Sequence, residues 1–268
     1  MEIICIHSYK GGAGKTTIAL NLATQLTTTH NKKVLLIESD FKMPSFEGIF
    51  DFKPQKYYND YFVTENNVSL SDCITKHPKF TNLDIIIANP NFNPEEKIHL
   101  WDKRYHAYHL RRLQNSLIDL KNKNLYDYVI FDTPPGLSYI AINNIALSHH
   151  GIIVVRPNSQ AIKGTFTMLE QLYLKTKSPD QINLYIVFNQ IPRVPMTSKL
   201  NEWSTKFSNL KIREAARIPC SCEGTYDMAI GKHIFEADHE INRFMIPLIS
   251  FLKKEGQVLS IPDPTVNF

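Results

Sequence analysis

Short apolar runs alternate with amphipathic segments along most of the chain. The apolar runs predict buried strands at residues 3–6, 34–37, 83–88, 128–131, 152–155 and 184–188. Continuous runs of this kind are typical of parallel strands that helices cover on both faces. Helical periodicity follows or separates them at about residues 15–29, 104–121, 139–148, 160–175, 196–208 and 238–254.

This alternation predicts an α/β fold with a doubly wound, mostly parallel sheet flanked by helices. Functional loops are then expected at the carboxyl ends of the strands. Residues 41–80 are less regular, with a short helix predicted near residues 70–74, and we interpret them as an excursion within the domain. We expect one domain over residues 1–256 and a poorly ordered tail over residues 257–268, which contains two prolines.

Composition narrows the class of protein without identifying it. The chain has 268 residues, is 43% hydrophobic and carries a formal charge of +4, which permits contact with nucleic acid or an acidic membrane without establishing either. Its four cysteines are too few and scattered for a disulfide scaffold. The sequence shows neither a signal peptide nor an apolar run of 18 residues, so we expect a cytoplasmic protein.

A glycine-rich segment connects the first predicted strand to the first predicted helix. Residues 9–17 read Tyr-Lys-Gly-Gly-Ala-Gly-Lys-Thr-Thr. Glycines let successive backbone N–H groups point at one anion, and the following helix adds the positive end of its dipole. In such a loop Lys15 reaches the β- and γ-phosphates and the Thr16 hydroxyl ligates Mg²⁺. The general pattern begins with glycine, but here Tyr9 stands first and a second lysine, Lys10, follows it.

Two acidic elements follow predicted strands. Glu38-Ser-Asp40 closes the second strand, and we interpret Asp40 as a candidate for orienting an attacking water and Glu38 as a structural or outer-shell acid. The alternative for this segment is a simple turn with a helix cap. Asp132 ends the strand at residues 128–131 and would bind Mg²⁺ directly or through water. The Pro-Pro-Gly turn after it is expected to end in a free N–H at Gly136, which could sense a γ-phosphate.

An asparagine ends a further buried strand. Asn189 follows the strand at residues 184–188, and its amide offers both a donor and an acceptor. That pair matches the amino group and ring nitrogen of the adenine edge. The alternative is an asparagine in a loop at the end of a strand.

These motifs together resemble the deviant Walker A ATPases of the ParA/MinD family. Residues 10–17 match the family's Lys-Gly-Gly-x-Gly-Lys-Thr-Thr signature, and Asp-Thr-Pro-Pro-Gly at residues 132–136 is similar to its second switch. Ile218-Pro219 and the following Ile230-Gly-Lys232 resemble its last strand and loop. The resemblance extends over about residues 1–255.

The resemblance implies an ATP hydrolase that uses Mg²⁺ and forms a homodimer on binding ATP. Lys10 would cross to the partner's phosphates and neutralise charge in the transition state, as an arginine finger does. The residues implied to bind nucleotide, metal or water are Lys10, Gly11, Gly12, Ala13, Gly14, Lys15, Thr16, Thr17, Asp40, Asp132, Gly136 and Asn189. Within this set Thr17 would contact the α-phosphate, the metal ligands would be Thr16, Asp40 and Asp132, and Asp40 would position water.

The sequence departs from the family at the first switch. Glu38 stands where the family commonly has aspartate, and Asp40-Phe-Lys-Met-Pro44 replaces the usual Asp-Pro-Gln. The timing of this switch therefore does not follow from the resemblance.

The surface that such a dimer would bind is left open by the resemblance. The first hypothesis is ParA-like DNA segregation, with non-specific DNA binding, association with the nucleoid and an adaptor protein that stimulates hydrolysis. The candidate basic face comprises Lys199, Lys206, Lys211, Arg213, Arg217 and Lys232. The alternative is that these are solvated surface charges.

A second basic cluster, in which histidines alternate with Lys103, Arg104, Arg111 and Arg112, is interpreted as an exposed helix face with Leu110, Leu113 and Leu117 on its buried side.

Two other hypotheses come from the same superfamily. MinD-like positioning on a membrane needs a basic amphipathic C-terminal helix, whereas residues 241–254 read as a core-packing helix and the tail after them has no basic residue. A membrane partner is therefore not expected. An Mrp-like metal-cluster carrier would use a Cys-x-x-Cys pair, but Cys220 and Cys222 are separated by one residue.

Overall fold

The computed structural model describes residues 1–63, 67–77, 79–92, 103–176, 182–192, 194–220, 246, 248–250 and 252. Outside residues 46–86, the helices and strands of these residues alternate as the sequence predicts. In chain order they are β1 (Glu2–His7), α1 (Lys15–Thr28), β2 (Val34–Glu38), α2 (Phe46–Phe50), α3 (Tyr58–Phe62), β3 (Thr75–Lys76), β4 (Leu83–Ile86), α4 (Lys103–Asn122), β5 (Tyr128–Asp132), α5 (Tyr139–Ala146), β6 (His150–Val155), α6 (Ser159–Thr176), β7 (Asn183–Ile191), α7 (Thr197–Ser208) and β8 (Arg213–Pro219).

The eight strands form one sheet in the order β3-β4-β2-β5-β1-β6-β7-β8. All neighbouring strands are parallel except the short edge strand β3, which is antiparallel to β4. The predicted fold class is therefore confirmed. Strands β1, β2 and β5 lie side by side, so the loops that follow all three emerge at the same edge of the sheet.

Strand β1 shows how the sequence builds a core on each face of the sheet. Successive side chains of a strand point to opposite faces. Ile3 and Cys5 pack on one face, and Ile4 and Ile6 pack on the other with residues of α1. The face that carries Ile3 and Cys5 is covered in part by α4, whose Leu110, Leu113 and Leu117 are buried as predicted. Both faces are therefore apolar, which explains the uninterrupted hydrophobic runs.

Three described elements were not predicted from periodicity. Helices α2 and α3 have five residues each and β3 has two, too few for a periodic signal. The short helix expected near residues 70–74 is present as a 3-10 helix at Ser71–Cys73. The predicted helix at residues 238–254 lies mostly outside the described residues, and the tail at residues 257–268 lies wholly outside them. Among the described helices, none is both long and apolar enough to cross a bilayer.

The interpretation of α4 as an exposed basic face is wrong for three of its polar residues. His106 and His109 are buried, and the Arg112 guanidinium donates to the backbone carbonyls of Tyr61 and Val68. The same guanidinium lies 4.2 Å from the centroid of the Tyr61 ring. Arg112 therefore fastens α4 to α3 and the residues after it, because it satisfies one carbonyl in the last turn of that short helix and one beyond its end.

Candidate functional site

The glycine-rich loop curls between β1 and α1 in the way that the sequence predicts. Gly12 and Gly14 adopt left-handed backbone conformations, with φ values of 72° and 93°, which glycine adopts without steric cost. Gly14 is also the N-cap of α1, and no side chain caps this helix. The first turn of α1 contains no acidic residue. The loop and the helix terminus therefore present backbone N–H groups that suit an anion such as phosphate.

Lys15 and Thr16 begin α1 beside the acidic end of β5. Lys15 is only 7% exposed, and burial lowers the pKa of its ammonium group while Asp132 and Asp40 act in the opposite direction. The Thr16 hydroxyl donates to Asp132 Oδ2 at 2.7 Å. The structure thus brings together four of the predicted site residues, which come from three separate segments of the chain.

Asp132 has the properties expected of a cation ligand. Its side chain is 2% exposed, and its Oδ1 atom has no hydrogen-bond partner among the described residues. Burial raises the pKa of this carboxyl to about 6, against the opposing effects of Thr16 and Lys15. A buried, half-satisfied carboxylate next to a threonine hydroxyl is an oxygen donor set that suits Mg²⁺, so the residues present fit this ion.

The two acids after β2 have different environments. Asp40 Oδ1 accepts from the backbone N–H groups of Lys42 and Met43, which closes a turn and leaves the second carboxylate oxygen outside it. Glu38 is buried and accepts from the backbone N–H groups of Ser45, Phe46 and Ala88. Burial raises the pKa of Glu38 to about 7 despite these three bonds. Glu38 therefore joins the starts of α2 and of the segment after β4, which fits a structural acid.

The expectation of a free N–H at Gly136 is wrong. That N–H donates to the Ser8 carbonyl at 2.9 Å, so the turn after β5 is fastened directly to the start of the phosphate loop. Gly136 has a φ of 71°, which turns its N–H toward that acceptor. The acceptor lies far away in sequence, and strand periodicity does not reveal it.

Asn189 supports the phosphate loop from the side of β7. Its Nδ2 atom donates to the Ala13 carbonyl at 2.8 Å, and the side chain is buried. A Cβ atom placed on Gly14 would collide with the same amide group. The Asn189 amide therefore already uses one donor within the loop, and its role toward adenine stays a prediction.

The second lysine of the loop differs from the first. Lys10 is exposed, and its backbone carbonyl accepts from the Ser8 hydroxyl at 2.7 Å. Large apolar side chains in the loops after β2 and β5 are also exposed, including Met43 at 79% and Leu137 at 53%. Lys10 and these side chains are therefore available to a second molecule.

His7 lies beside these residues and was not predicted from the sequence. It is the last residue of β1 and fully buried, and its Nδ1 lies 2.8 Å from Thr133 Oγ1. Because the Thr133 hydroxyl donates its hydrogen to the Ile6 carbonyl, Nδ1 of His7 must be the donor in the contact with Thr133. Burial and the charge of Lys15 lower the pKa of His7 to about 3, so the ring is neutral. A polar residue that ends an apolar strand before the loop was the available signal.

Helix α4 contacts the segments that lie after the loops following β2 and β5. The His106 ring stacks on Tyr139, the first residue of α5, with centroids 4.6 Å apart. The His109 ring stacks on Phe62 at 4.7 Å, and Phe62 packs edge-on against Phe41, the neighbour of Asp40. One helix thus supports the chain next to Asp40 and the chain that leaves the Pro-Pro-Gly turn.

The basic face in the C-terminal third carries acids as well. Lys199 and Lys206 both pair with Glu202 on α7, at 2.7 and 2.9 Å. Arg217 pairs with Glu214 on β8. Lys232 and Cys222 lie outside the described residues, while Cys220 is exposed. Five of the six predicted cations are therefore placed on α7, β8 or the turn between them, and three of those five are paired with carboxylates.

Comparison with known proteins gives consistent matches. The family model AAA_31, described as an AAA domain, matches residues 1–184. The septum site-determining protein MinD of Synechocystis is 28% identical over 162 residues, or 60% of this chain, and a ParA family protein of Chlamydia muridarum is 28% identical over 165 residues, or 61% of it. The matched regions span 56% and 62% of those relatives' own lengths, which is less than two thirds of either.

The fold also matches a solved structure. The septum site-determining protein MinD of Pyrococcus horikoshii, solved with Mg-ADP, superposes with a TM-score of 0.73 over 94% of this chain and 96% of its own. Its sequence identity is 21%, so this likeness shows the fold.

Proposed function

Because the chain belongs to the AAA_31 domain family, and through it to the ParA/MinD P-loop ATPases, we propose that it is a Mg²⁺-dependent ATPase whose ATP-bound homodimer acts as a switch. The proposed role of the switch is DNA partitioning of the ParA type. The observation that carries the ATPase proposal is the convergence of Lys15, Thr16 and Asp132 at the start of α1, a helix whose N-terminus has no side-chain cap.

Each residue of the site has a proposed task in ATP hydrolysis. The loop N–H groups and Lys15 bind phosphate oxygens, and Asn189 keeps the loop in place through Ala13. Thr16 and Asp132 hold Mg²⁺, which supplies charge neutralisation at the phosphates when it is bound. Asp40 positions the attacking water, since its turn leaves one carboxylate oxygen available. Glu38 keeps the Asp40 loop in register by accepting three backbone N–H groups.

Lys10 is the residue that makes this a dimer proposal. Lys10 is exposed, whereas Lys15 at the end of the same loop is buried. In a homodimer whose two sites face each other, the Lys10 ammonium group of one copy would reach the phosphates bound by the other copy. The exposed apolar side chains of Met43 and Leu137 would be covered by the same contact. Charge supplied in trans stabilises the transition state without adding to ATP binding by the monomer.

Substitution of the two lysines tests the switch. Lys15→Ala is expected to abolish ATP binding or turnover. Lys10→Ala should leave ATP binding by the monomer intact and lower hydrolysis by about 10³-fold or more, as removal of a trans cation does in related chemistry. Hydrolysis by Lys10→Ala at the unaltered rate would overturn the trans role.

Asp40 requires a variant that preserves its turn. Asp40→Asn keeps an oxygen for the N–H groups of Lys42 and Met43 but removes the charged carboxylate. With saturating ATP we expect a trapped dimer by analytical ultracentrifugation and little phosphate release. A monomer under these conditions would contradict the role of Asp40 in hydrolysis.

We propose that the DNA contact uses the described part of the basic face, on α7 and β8. Five cations and two carboxylates there leave an excess of positive charge toward phosphate groups. A titration of DNA with and without ATP, at two salt concentrations, tests this role. ATP-dependent, salt-sensitive binding without sequence preference supports it, whereas binding to anionic liposomes with no binding to DNA would favour membrane positioning.

A further inference from the structure

Tyr9 occupies the first position of the phosphate loop, where the general pattern has glycine. Its ring lies against Gly164 in α6 so closely that a Cβ atom on this glycine would collide with it. The three heavy atoms nearest to that Cβ position all belong to the Tyr9 ring. Tyr9 nevertheless remains 38% exposed, so its ring sits on the helix surface and not in a core.

The backbone of α6 gives no other reason for glycine at this position. Gly164 lies inside the helix at Ser159–Thr176 and does not adopt a positive φ. A glycine inside a helix destabilises it by about 1 kcal/mol relative to alanine. The missing side chain therefore serves the ring of Tyr9, which fills the space that a Cβ would take.

The chain next to Tyr9 is fastened at two more points. The Ser8 hydroxyl donates to the Lys10 carbonyl, and the Gly136 N–H donates to the Ser8 carbonyl. Together with the ring on Gly164, these contacts fix three successive residues against α6 and the turn after β5. Lys10 is the last of the three, and its side chain is exposed.

We propose that Tyr9 is a positioning residue for hydrolysis, because its ring docked on Gly164 fixes the direction in which Lys10 leaves the loop. A lysine side chain loses conformational entropy when it is held at a target. If the backbone of Lys10 is already fixed, only the entropy of its side chain is lost when it reaches the partner's site. The inference rests on the proposed function, in which Lys10 acts in the partner's site.

Gly164→Ala is the decisive variant because it improves helix propensity while it displaces the ring. We expect an unchanged or higher melting temperature, unchanged ATP affinity of the monomer, and a fall in kcat of about 10- to 100-fold, with weaker ATP-dependent dimerisation. Tyr9→Ala should give the same pattern, and Tyr9→Phe, which keeps the ring, should restore wild-type kcat.

A matched control and a double variant complete the design. Gly48→Ala makes the same change in α2, where the added Cβ would meet no atom within 4 Å apart from its chain neighbours and the backbone of its own helix, and should leave kcat unaltered. Combining Tyr9→Ala with Gly164→Ala should cost no more than either change alone, since both remove one contact.

The outcomes separate the inference from the proposed function. If Lys10→Ala is inactive while Gly164→Ala and Tyr9→Ala turn over at the wild-type rate, the positioning role is wrong and the trans-lysine function stands. If Gly164→Ala lowers ATP affinity and melting temperature together, the contact is structural and the inference is overturned. If Lys10→Ala is fully active, both fail.

Discussion

The hydroxyl of Thr16 donates a hydrogen bond of 2.7 Å to Asp132, which joins the start of α1 to the end of β5. The other oxygen of the same carboxylate is buried without a hydrogen-bond partner among the described residues. A buried acceptor left unsatisfied costs about 1–3 kcal/mol, and a cation at this position would relieve that cost. The pair therefore combines a structural contact with an oxygen donor set that suits Mg²⁺.

Asp132→Asn is expected to separate metal binding from folding. Removal of a metal ligand should raise the Mg²⁺ concentration for half-maximal hydrolysis by at least about 10-fold. The melting temperature should be unchanged or higher, since the variant removes a buried ionisable group whose pKa burial raises to about 6. A Mg²⁺ titration of phosphate release measures the first effect, with Thr16→Ser as a control that keeps the hydroxyl. An unaltered titration for Asp132→Asn would rule out its role as a ligand.

Asn189→Ala tests two roles that the structure allows one side chain to combine. Loss of the bond to the Ala13 carbonyl should lower the free energy of unfolding by about 1–3 kcal/mol and weaken ATP and GTP binding equally. Recognition of adenine would add a second effect, a smaller preference for ATP over GTP. Calorimetric titration with both nucleotides distinguishes these effects. Equal losses for the two nucleotides would remove Asn189 from base recognition but retain it as a support of the loop.

His7 should make the stability of the protein depend on pH. Its pKa is about 3 in the folded protein and about 6.5 when unfolded, so the unfolded chain takes up a proton first as the pH falls. Its contribution is full above pH 6.5 and is lost as the pH falls toward 3, by up to about 1.4 kcal/mol per pH unit. The raised pKa of Glu38 acts in the opposite direction, since that contribution is lost as the pH rises toward 7.

Comparison with His7→Asn isolates the contribution of His7 to the pH dependence of the unfolding free energy. Asparagine can still donate to the Thr133 hydroxyl, but it does not titrate. Urea denaturation at several values between pH 7 and pH 4 measures the unfolding free energy of both proteins. As the pH falls, wild type should lose more stability than the variant does. A constant difference over this range would show that His7 does not titrate as proposed.

Glu202 is expected to limit DNA binding by the basic face. It pairs with Lys199 and Lys206, so Glu202→Gln should free both cations and strengthen ATP-dependent DNA binding. The double variant Lys199→Ala/Lys206→Ala should weaken binding and reduce the slope of log K against log salt by roughly 1.8, at about 0.9 for each phosphate contact. Fluorescence anisotropy with a labelled duplex at several salt concentrations measures both. Unchanged slopes in both variants would exclude α7 from the contact.

The sequence predicted the main strands and helices because periodicity over long segments is a property of the chain itself. The short elements depend on distant partners. Helix α2 begins where Glu38 accepts from the backbone N–H groups of Ser45 and Phe46, and α3 begins where the Tyr58 N–H reaches the Ile87 carbonyl. Neither interaction leaves a periodic signal, so both helices were missed.

The candidate site shows the same division. The loop motif and the acids that end β2 and β5 were found from sequence because their spacing is local to each segment. The bond from Gly136 to Ser8, the donor state of His7 and the contact of Tyr9 with Gly164 depend on residues that meet only after folding. The free N–H expected at Gly136 was wrong for this reason.

The two stacked histidines of α4 have a consequence for how this protein tolerates change. Loops on neighbouring strands of a parallel sheet can usually differ in length independently, because each closes on its own. Here His106 supports the chain after one loop through Tyr139, and His109 supports the chain after the other through Phe62. A single inserted residue between these histidines would rotate one ring away from its partner by about 100° of helix. The spacing within α4 is thus a shared ruler that both loops must match.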